Sequence, residues 1–154
     1  MIAFTFRYKD DNSFIMIPVI IEYVNTAGFI ERRELKACID TGANQSCIDA
    51  ELAGRFEFTK IGVIKHQTAN GIVPVGIHTV NIILPNDIRF DDVEIAEMNA
   101  SVDFVIGLDI LNKGDFIMTH KDGYKYFSFR SPTKNKGERF VESTNEYKIW
   151  EQVS

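Results

Sequence analysis

The residues best suited to catalysis form one short run, Asp40-Thr41-Gly42-Ala43, which follows an apolar segment ending at Ile39. An apolar strand that delivers an acid into a loop of small residues places a carboxylate at the floor of a cavity, where it can do acid–base chemistry. The Thr41 hydroxyl can hold such a loop by hydrogen bonding, and Gly42 lets backbone or substrate approach closely. On the tripeptide alone, an ordinary turn is the better interpretation, because Asp and Gly recur in turns.

Two further features stand downstream of this run and would have to be placed around it. The first is a hairpin turn at Ala69-Asn70-Gly71, between apolar segments over residues 61–68 and 72–84 that are long enough to project as a lid. Asn-Gly is the strongest short hairpin signal because both residues tolerate positive φ. The second is Phe104-Val105-Ile106-Gly107, which predicts a strand that runs into glycine before a short helix over residues 108–113.

The rest of the chain favours sheet. Ile, Val and Phe far outnumber Leu, and β-branched and aromatic side chains suit a pleated, half-buried surface. We predict further strands over residues 14–24, 29–39, 93–98, 115–120 and 124–129. Residues 46–53 are predicted to form a short helix that Gly54 ends. The polar composition from residue 131 on divides the chain into a domain over residues 1–130 and a C-terminal extension over residues 131–154.

Taken together, the three features resemble the retropepsin-like aspartic proteases. That family carries Asp-Thr-Gly-Ala after an apolar strand, then a flap hairpin, then two apolar residues and Gly before a helix, and the cellular and bacterial branch is the most similar. Here these features are Asp40 to Ala43, the turn at Ala69 to Gly71, and Val105-Ile106-Gly107. The resemblance implies an all-β fold, a closed β-barrel-like structure with one or two short helices.

The resemblance also implies a mechanism and site roles. Hydrolysis of a peptide bond by this chemistry needs two carboxylates that share one proton, since like charges so close together cannot both ionise. The chain holds one Asp-Thr-Gly, so the second Asp40 must come from a second copy in a symmetric homodimer. Thr41, Gly42 and Ala43 would support the catalytic loop and seat the substrate. Ala69, Asn70, Gly71 and Ile72 would close over the peptide, and Val105, Ile106 and Gly107 would lie behind the loop.

Two other interpretations stay open at this point. The first is a dimeric peptide-binding or assembly module that keeps the protease-like fold without hydrolysis, because fold does not guarantee activity. The second is an unrelated small-molecule β-barrel, in which the Asp40 loop is an ordinary turn. Cleavage of peptides that disappears in Asp40→Asn would separate the enzyme from both.

Composition and spacing argue against several other functions. A net charge of −5 and a pI near 5.2 disfavour a nucleic-acid partner, whose phosphates demand a basic stripe. No apolar run approaches the roughly 20 residues that a membrane helix needs. His66, His78 and His120 lack metal-ligand spacing, and no cofactor motif is visible, so neither a metal nor a cofactor is expected. Two cysteines make no disulfide framework, which favours a reducing, cytoplasmic location.

Overall fold

The strands of the molecule arise from alternating buried and exposed side chains, as in Met16–Val24, where Ile17, Val19 and Ile21 point inward. The computed structural model describes residues 2–9, 11 and 14–133. In chain order the elements of this part are β1 (Ile2–Lys9), β2 (Met16–Val24), β3 (Ile30–Ile39), β4 (Cys47–Asp49), α1 (Ala50–Arg55), β5 (Gly62–Thr68), β6 (Gly71–Leu84), β7 (Ile88–Met98), β8 (Phe104–Ile106), α2 (Leu108–Leu111), β9 (Asp115–Lys121) and β10 (Tyr124–Ser131).

Six of these strands close into a barrel. The hydrogen-bonded order is β2-β3-β8-β4-β7-β6, and an additional antiparallel pairing of β6 with β2 joins the two ends. The strand β5 pairs with β6 outside this ring. The prediction of an all-β, barrel-like fold with one or two short helices is therefore confirmed.

The barrel interior is filled by branched aliphatic and aromatic side chains, which gives the fold its main stabilisation through removal of apolar surface from water. The largest completely covered members are Phe104, Ile21, Ile48, Ile82, Ile95 and Ile106. The short strand β8 supplies two of them and pairs in parallel with the end of β3. Since β3 leads into Asp40, the segment that carries the candidate acid is paired with a strand whose side chains are buried in the core.

A second sheet of three strands, in the order β1-β10-β9, covers one side of the barrel. Phe4 and Phe6 of β1 pair in register with Phe129 and Phe127 of β10, and both partners are buried. No strand was predicted over residues 2–9, although the alternation of Phe4, Phe6 and Tyr8 is the period-2 pattern of a half-buried strand. The strand β9 forms an edge of this sheet.

The predicted helix over residues 46–53 is wrong in its first half. Residues Cys47–Asp49 are extended and pair with β7 on one side and β8 on the other, which fills a gap in the barrel wall. The helix begins only at Ala50, where the Asp49 carboxylate accepts a hydrogen bond from the Leu52 amide at 3.1 Å. It also continues through Gly54 to Arg55. Residues 47–49 are therefore extended because they pair within the closed barrel, although the local sequence favours a helix. Gly54 likewise does not end the helix.

The predicted lid hairpin is present as β5 and β6. Thr68 pairs with Gly71, so the loop consists of Ala69 and Asn70, and Gly71 adopts φ +115°. This conformation suits glycine because it has no Cβ. The hairpin carries exposed apolar side chains on both strands, including Val63 and Ile72, since it extends beyond the barrel.

The remaining predicted strands are present with shifted ends, and the strand predicted from residue 93 starts earlier, at Ile88, which pairs with Leu84. The strand β10 runs to Ser131, one residue past the predicted domain limit. Residues 134–154 of the predicted extension lie outside the described residues, so the two-part organisation stays a prediction. In the described part of the chain, no helix has the length and apolar character to cross a membrane.

Candidate active site

The Asp40 carboxylate is held at the surface by the backbone around it. The Asp40 amide donates to the Ile106 carbonyl at 3.0 Å, which continues the pairing of β3 with β8. The Gly42 amide donates to Asp40 Oδ1 at 2.8 Å, and the Ala43 amide donates to the Asp40 carbonyl at 3.3 Å. The backbone of Asp40 is thus fixed on both sides, and its exposed carboxylate accepts one hydrogen bond, from the Gly42 amide.

Two surface depressions flank the Asp40 loop. One is a groove of about 690 Å³ lined by Gly42 and Ala43 of the loop, by Cys47 and Glu97 of the barrel, and by residues of the flap hairpin. The other, of about 410 Å³, is lined by Asp40 and Thr41 together with Phe14 and with Phe116 to Met118 of β9. The loop therefore separates a long groove under the hairpin from an apolar hollow beside β9.

Val105, Ile106 and Gly107 lie directly behind the loop. Val105 is the in-register neighbour of both Cys38 and Cys47, and Ile106 is fully buried. A Cβ on Gly107 would lie 2.7 Å from the Ala43 carbonyl oxygen, and the next residue, Leu108, donates its amide to that same oxygen at 2.8 Å. Only glycine allows this close approach of the two backbones.

The hairpin residues predicted to cover a substrate lie at the tip. Ala69 and Asn70 are exposed, as is Ile72. None of the residues from Ala69 to Ile72 lines either depression; the part of the hairpin that faces the groove consists of His66 and residues 73–75. In a single chain the tip and the Asp40 loop are thus not brought together.

A buried hydrogen-bond network below the loop was missed by the sequence analysis. The Ser46 hydroxyl donates to Asp109 Oδ1 at 2.7 Å, the Ser46 amide donates to Asp109 Oδ2 at 3.0 Å, and the Gly107 amide donates to Ser46 Oγ at 3.1 Å. Asp109 lies in the first turn of α2, where an acid opposes the positive end of the helix. An acid in the first turn of a helix was the only feature of this network that the sequence displayed, because Ser46, the partner of Asp109, is 63 residues away.

Removing the Asp109 carboxylate should destabilise the protein and disturb the Asp40 loop. In Asp109→Ala the buried Ser46 hydroxyl and amide lose their acceptor, and each unsatisfied buried group costs about 1–3 kcal/mol. We expect the free energy of unfolding, measured by urea denaturation, to fall by about 2–4 kcal/mol. The double variant with Ser46→Ala should lose less than the sum of the single losses. Additive losses would show that the two side chains do not act together.

Two free thiols stand beside Val105. Burial, and then the charge of Asp40, raise the pKa of Cys38, while burial, and then the charge of Asp109, raise the pKa of Cys47. A raised pKa keeps a thiol protonated and weakly nucleophilic at neutral pH. These cysteines are therefore packing groups next to Asp40 rather than candidates for the reacting nucleophile. No cluster of three or more potential metal ligands occurs within the described residues.

Comparisons with known proteins give a family match and structural similarities. Residues 26–113, more than half of the chain, match the protein family described as gag-polyprotein putative aspartyl protease. No curated protein matches the chain. A retropepsin-like aspartic protease from Rickettsia conorii is similar in structure with a TM-score of 0.54 and 15% identity, over 79% of this chain and 97% of that one. The EIAV protease bound to the inhibitor HBY-793 gives a TM-score of 0.46 and 18% identity, over 66% and 88%.

Proposed function

The chain belongs to the gag-polyprotein aspartyl protease family and has the retropepsin-like fold, and from this premise we propose that it is an aspartic endopeptidase that works as a homodimer. The observation that carries the proposal is the Asp40 loop. It presents an exposed carboxylate, fixed by the Gly42 amide, at the boundary between a long groove and an apolar hollow.

The proposed reaction is hydrolysis of a peptide bond by water. One Asp40 carboxylate, ionised, takes a proton from the attacking water, while the protonated Asp40 of the second copy donates a proton to the carbonyl oxygen. Two carboxylates in contact hold a single proton because their negative charges repel. A lone carboxylate cannot fill both roles at once, and this is the chemical reason for a second copy.

The edge strand β9 supports the dimer. Phe116 and Met118 are 39% and 51% exposed, and both line the hollow that contains Asp40 and Thr41. An edge strand with exposed apolar side chains is a template for pairing with another chain. A second copy seated here would cover these side chains and bring its own Asp40 to the same place.

The sequence of β9 fits antiparallel pairing with itself. If the two-fold axis passes through Met118, Asp115 of one copy lies opposite Lys121 of the other. Asp115 is also paired with Arg130 of its own chain at 2.7 Å, so each end of the strand pair would combine one acid with two basic side chains. Met118 would then meet its own copy on the axis, next to the hollow that Asp40 lines. In this arrangement Thr41 hydrogen-bonds across to the partner's loop and keeps the two carboxylates coplanar.

The groove under the flap hairpin suits an extended peptide. Gly42 would present its carbonyl to the substrate backbone, and Ala43 leaves room for it. Closure of Ala69 to Ile72 over the peptide would exclude water, as lids do in other enzymes. We also place the enzyme in a reducing, cytoplasmic setting, a proposal supported by its two free thiols.

The activity should depend on pH with a bell-shaped profile whose maximum is mildly acidic. Hydrolysis needs the singly protonated pair, which is replaced by the doubly protonated pair at low pH and by the doubly ionised pair at high pH. Measuring kcat/KM on a peptide library from about pH 3 to pH 9 tests the proposal. A rate that rises steadily into the alkaline range would contradict it. No cleavage at any pH by a verified dimer would instead favour a binding or assembly module.

A further inference from the structure

A buried histidine lies where the flap hairpin joins the barrel. His78 follows the groove-facing part of β6, and its side chain is 1% exposed. The Nδ1 atom is 2.9 Å from the Thr59 carbonyl oxygen, and the Nε2 atom is 3.0 Å from Glu97 Oε1. Both nitrogens of one imidazole thus have oxygen partners.

These contacts fix how many protons the site must hold. The Thr59 carbonyl oxygen only accepts, and so does an ionised Glu97 carboxylate. A neutral imidazole has one N–H, so it can serve only one of these two contacts. Both contacts are hydrogen bonds only if a second proton is present, either on the ring or on the carboxyl group. Without that proton, one ring nitrogen and the oxygen opposite it face each other with lone pairs.

Charged and aromatic side chains surround the pair. Lys60 Nζ lies 3.3 Å from the same Glu97 oxygen. The Phe58 ring meets His78 edge to face at 5.5 Å and shields it from water. Cys47 and His66 line the groove together with Glu97, and Glu57 and Lys60 line a separate depression together with Glu97.

The pair connects both strands of the hairpin to the floor of the groove. Thr59 lies just before β5, His78 belongs to β6, and Glu97 lies on β7 and lines the groove. The Glu97 side chain packs tightly against β6, because a Cβ on Gly76 would lie 2.7 Å from the Glu97 carboxyl carbon. The imidazole therefore adds side-chain contacts between the hairpin base and the groove floor to the backbone pairing of β6 with β7.

We propose that His78 and Glu97 form a proton-dependent clamp at the base of the flap hairpin. With the shared proton in place, both strands are tied to the groove floor. When the site holds only one proton, one of the two contacts becomes repulsive and the hairpin loosens. The clamp acts on the conformation of the hairpin and does not depend on whether Asp40 catalyses hydrolysis.

Three substitutions distinguish the contact of His78 with Thr59 from its contact with Glu97. In His78→Asn the amide nitrogen replaces Nδ1 and keeps the Thr59 bond, whereas in His78→Gln it replaces Nε2 and keeps the Glu97 bond. In Glu97→Gln the new amide can donate to the Nε2 lone pair of a neutral imidazole. This last variant should hold the hairpin without the additional proton. His66→Gln is the matched control, since His66 lies on the hairpin but outside the clamp.

The test is methyl NMR relaxation of Ile64, Ile72 and Val73 in the full chain, at about pH 6 and pH 9. Wild type and His66→Gln should lose methyl order on the hairpin at the higher pH, and Glu97→Gln should keep the same order at both. In His78→Asn the hairpin methyl groups should have low order at both pH values. Barrel methyl groups, such as those of Ile95, should keep the same order in every variant. If wild type shows no pH effect, or if Glu97→Gln loses as much order as wild type, the clamp is refuted. If His78→Asn fails to fold, the comparison of wild type with Glu97→Gln decides alone.

Discussion

Asp40→Asn is expected to lower kcat/KM for peptide cleavage by at least about a thousandfold, which corresponds to about 4 kcal/mol in the barrier. The amide is nearly isosteric with the carboxylate and still accepts the Gly42 hydrogen bond through its oxygen. It cannot, however, take a proton from water. In the proposed dimer the variant also removes the repulsion between two carboxylates at the two-fold axis, so its melting temperature should be unchanged or higher.

The measurement is cleavage of a fluorogenic peptide by wild type and variant at the same pH, with thermal unfolding of both. Asp87→Asn is the matched control, since Asp87 is exposed in the turn between β6 and β7 with φ +57°, a conformation that asparagine tolerates, and this variant should keep the wild-type rate. If Asp40→Asn kept its rate within about tenfold of wild type, Asp40 would not be the acid and base of this enzyme.

Met118→Lys is expected to convert the protein into a folded monomer without activity at micromolar concentration. Met118 is half exposed, so the substitution costs little within one chain. In the proposed dimer it meets its own copy, and two lysines placed opposite each other on paired strands repel. Sedimentation should show wild type near twice the chain mass of 17.6 kDa and the variant near that mass.

The matched control for this experiment is Ile30→Lys, which makes the same change on a side chain that is 75% exposed. Ile30 begins β3, and Asp40 follows its other end, about 30 Å away at the usual rise of a strand. The control should remain dimeric and active. A dimeric, active Met118→Lys protein would place the interface elsewhere than β9.

The features that the sequence predicted well are those set by neighbouring residues. The family resemblance rests on three local patterns, an acid loop after a strand, a hairpin turn, and a strand that runs into glycine before a helix, and it is confirmed together with the barrel fold. The hairpin over residues 62–84 is present because Gly71 supplies the positive φ that its turn needs. The roles of Asp40, the flap tip and Val105 to Gly107 in catalysis stay predictions.

The features that were missed depend on distant partners. Residues Cys47–Asp49 become a strand only because β7 and β8 flank them, and no local pattern reports that. The Ser46–Asp109 and His78–Glu97 pairs join residues 63 and 19 positions apart, so their side chains meet only after the barrel has closed. The strand β1 is different, because its alternating aromatic residues were visible in the sequence.

The central claim is that each catalytic site contains one Asp40 from each of two chains, and a subunit-mixing measurement tests it most directly. Wild type is mixed with increasing amounts of Asp40→Asn under conditions where subunits exchange, at constant total protein. Because mixed dimers would hold only one carboxylate, the cleavage rate should fall with the square of the wild-type fraction. A rate that falls in direct proportion to the wild-type fraction would show that each chain acts alone and would contradict the shared Asp40 pair.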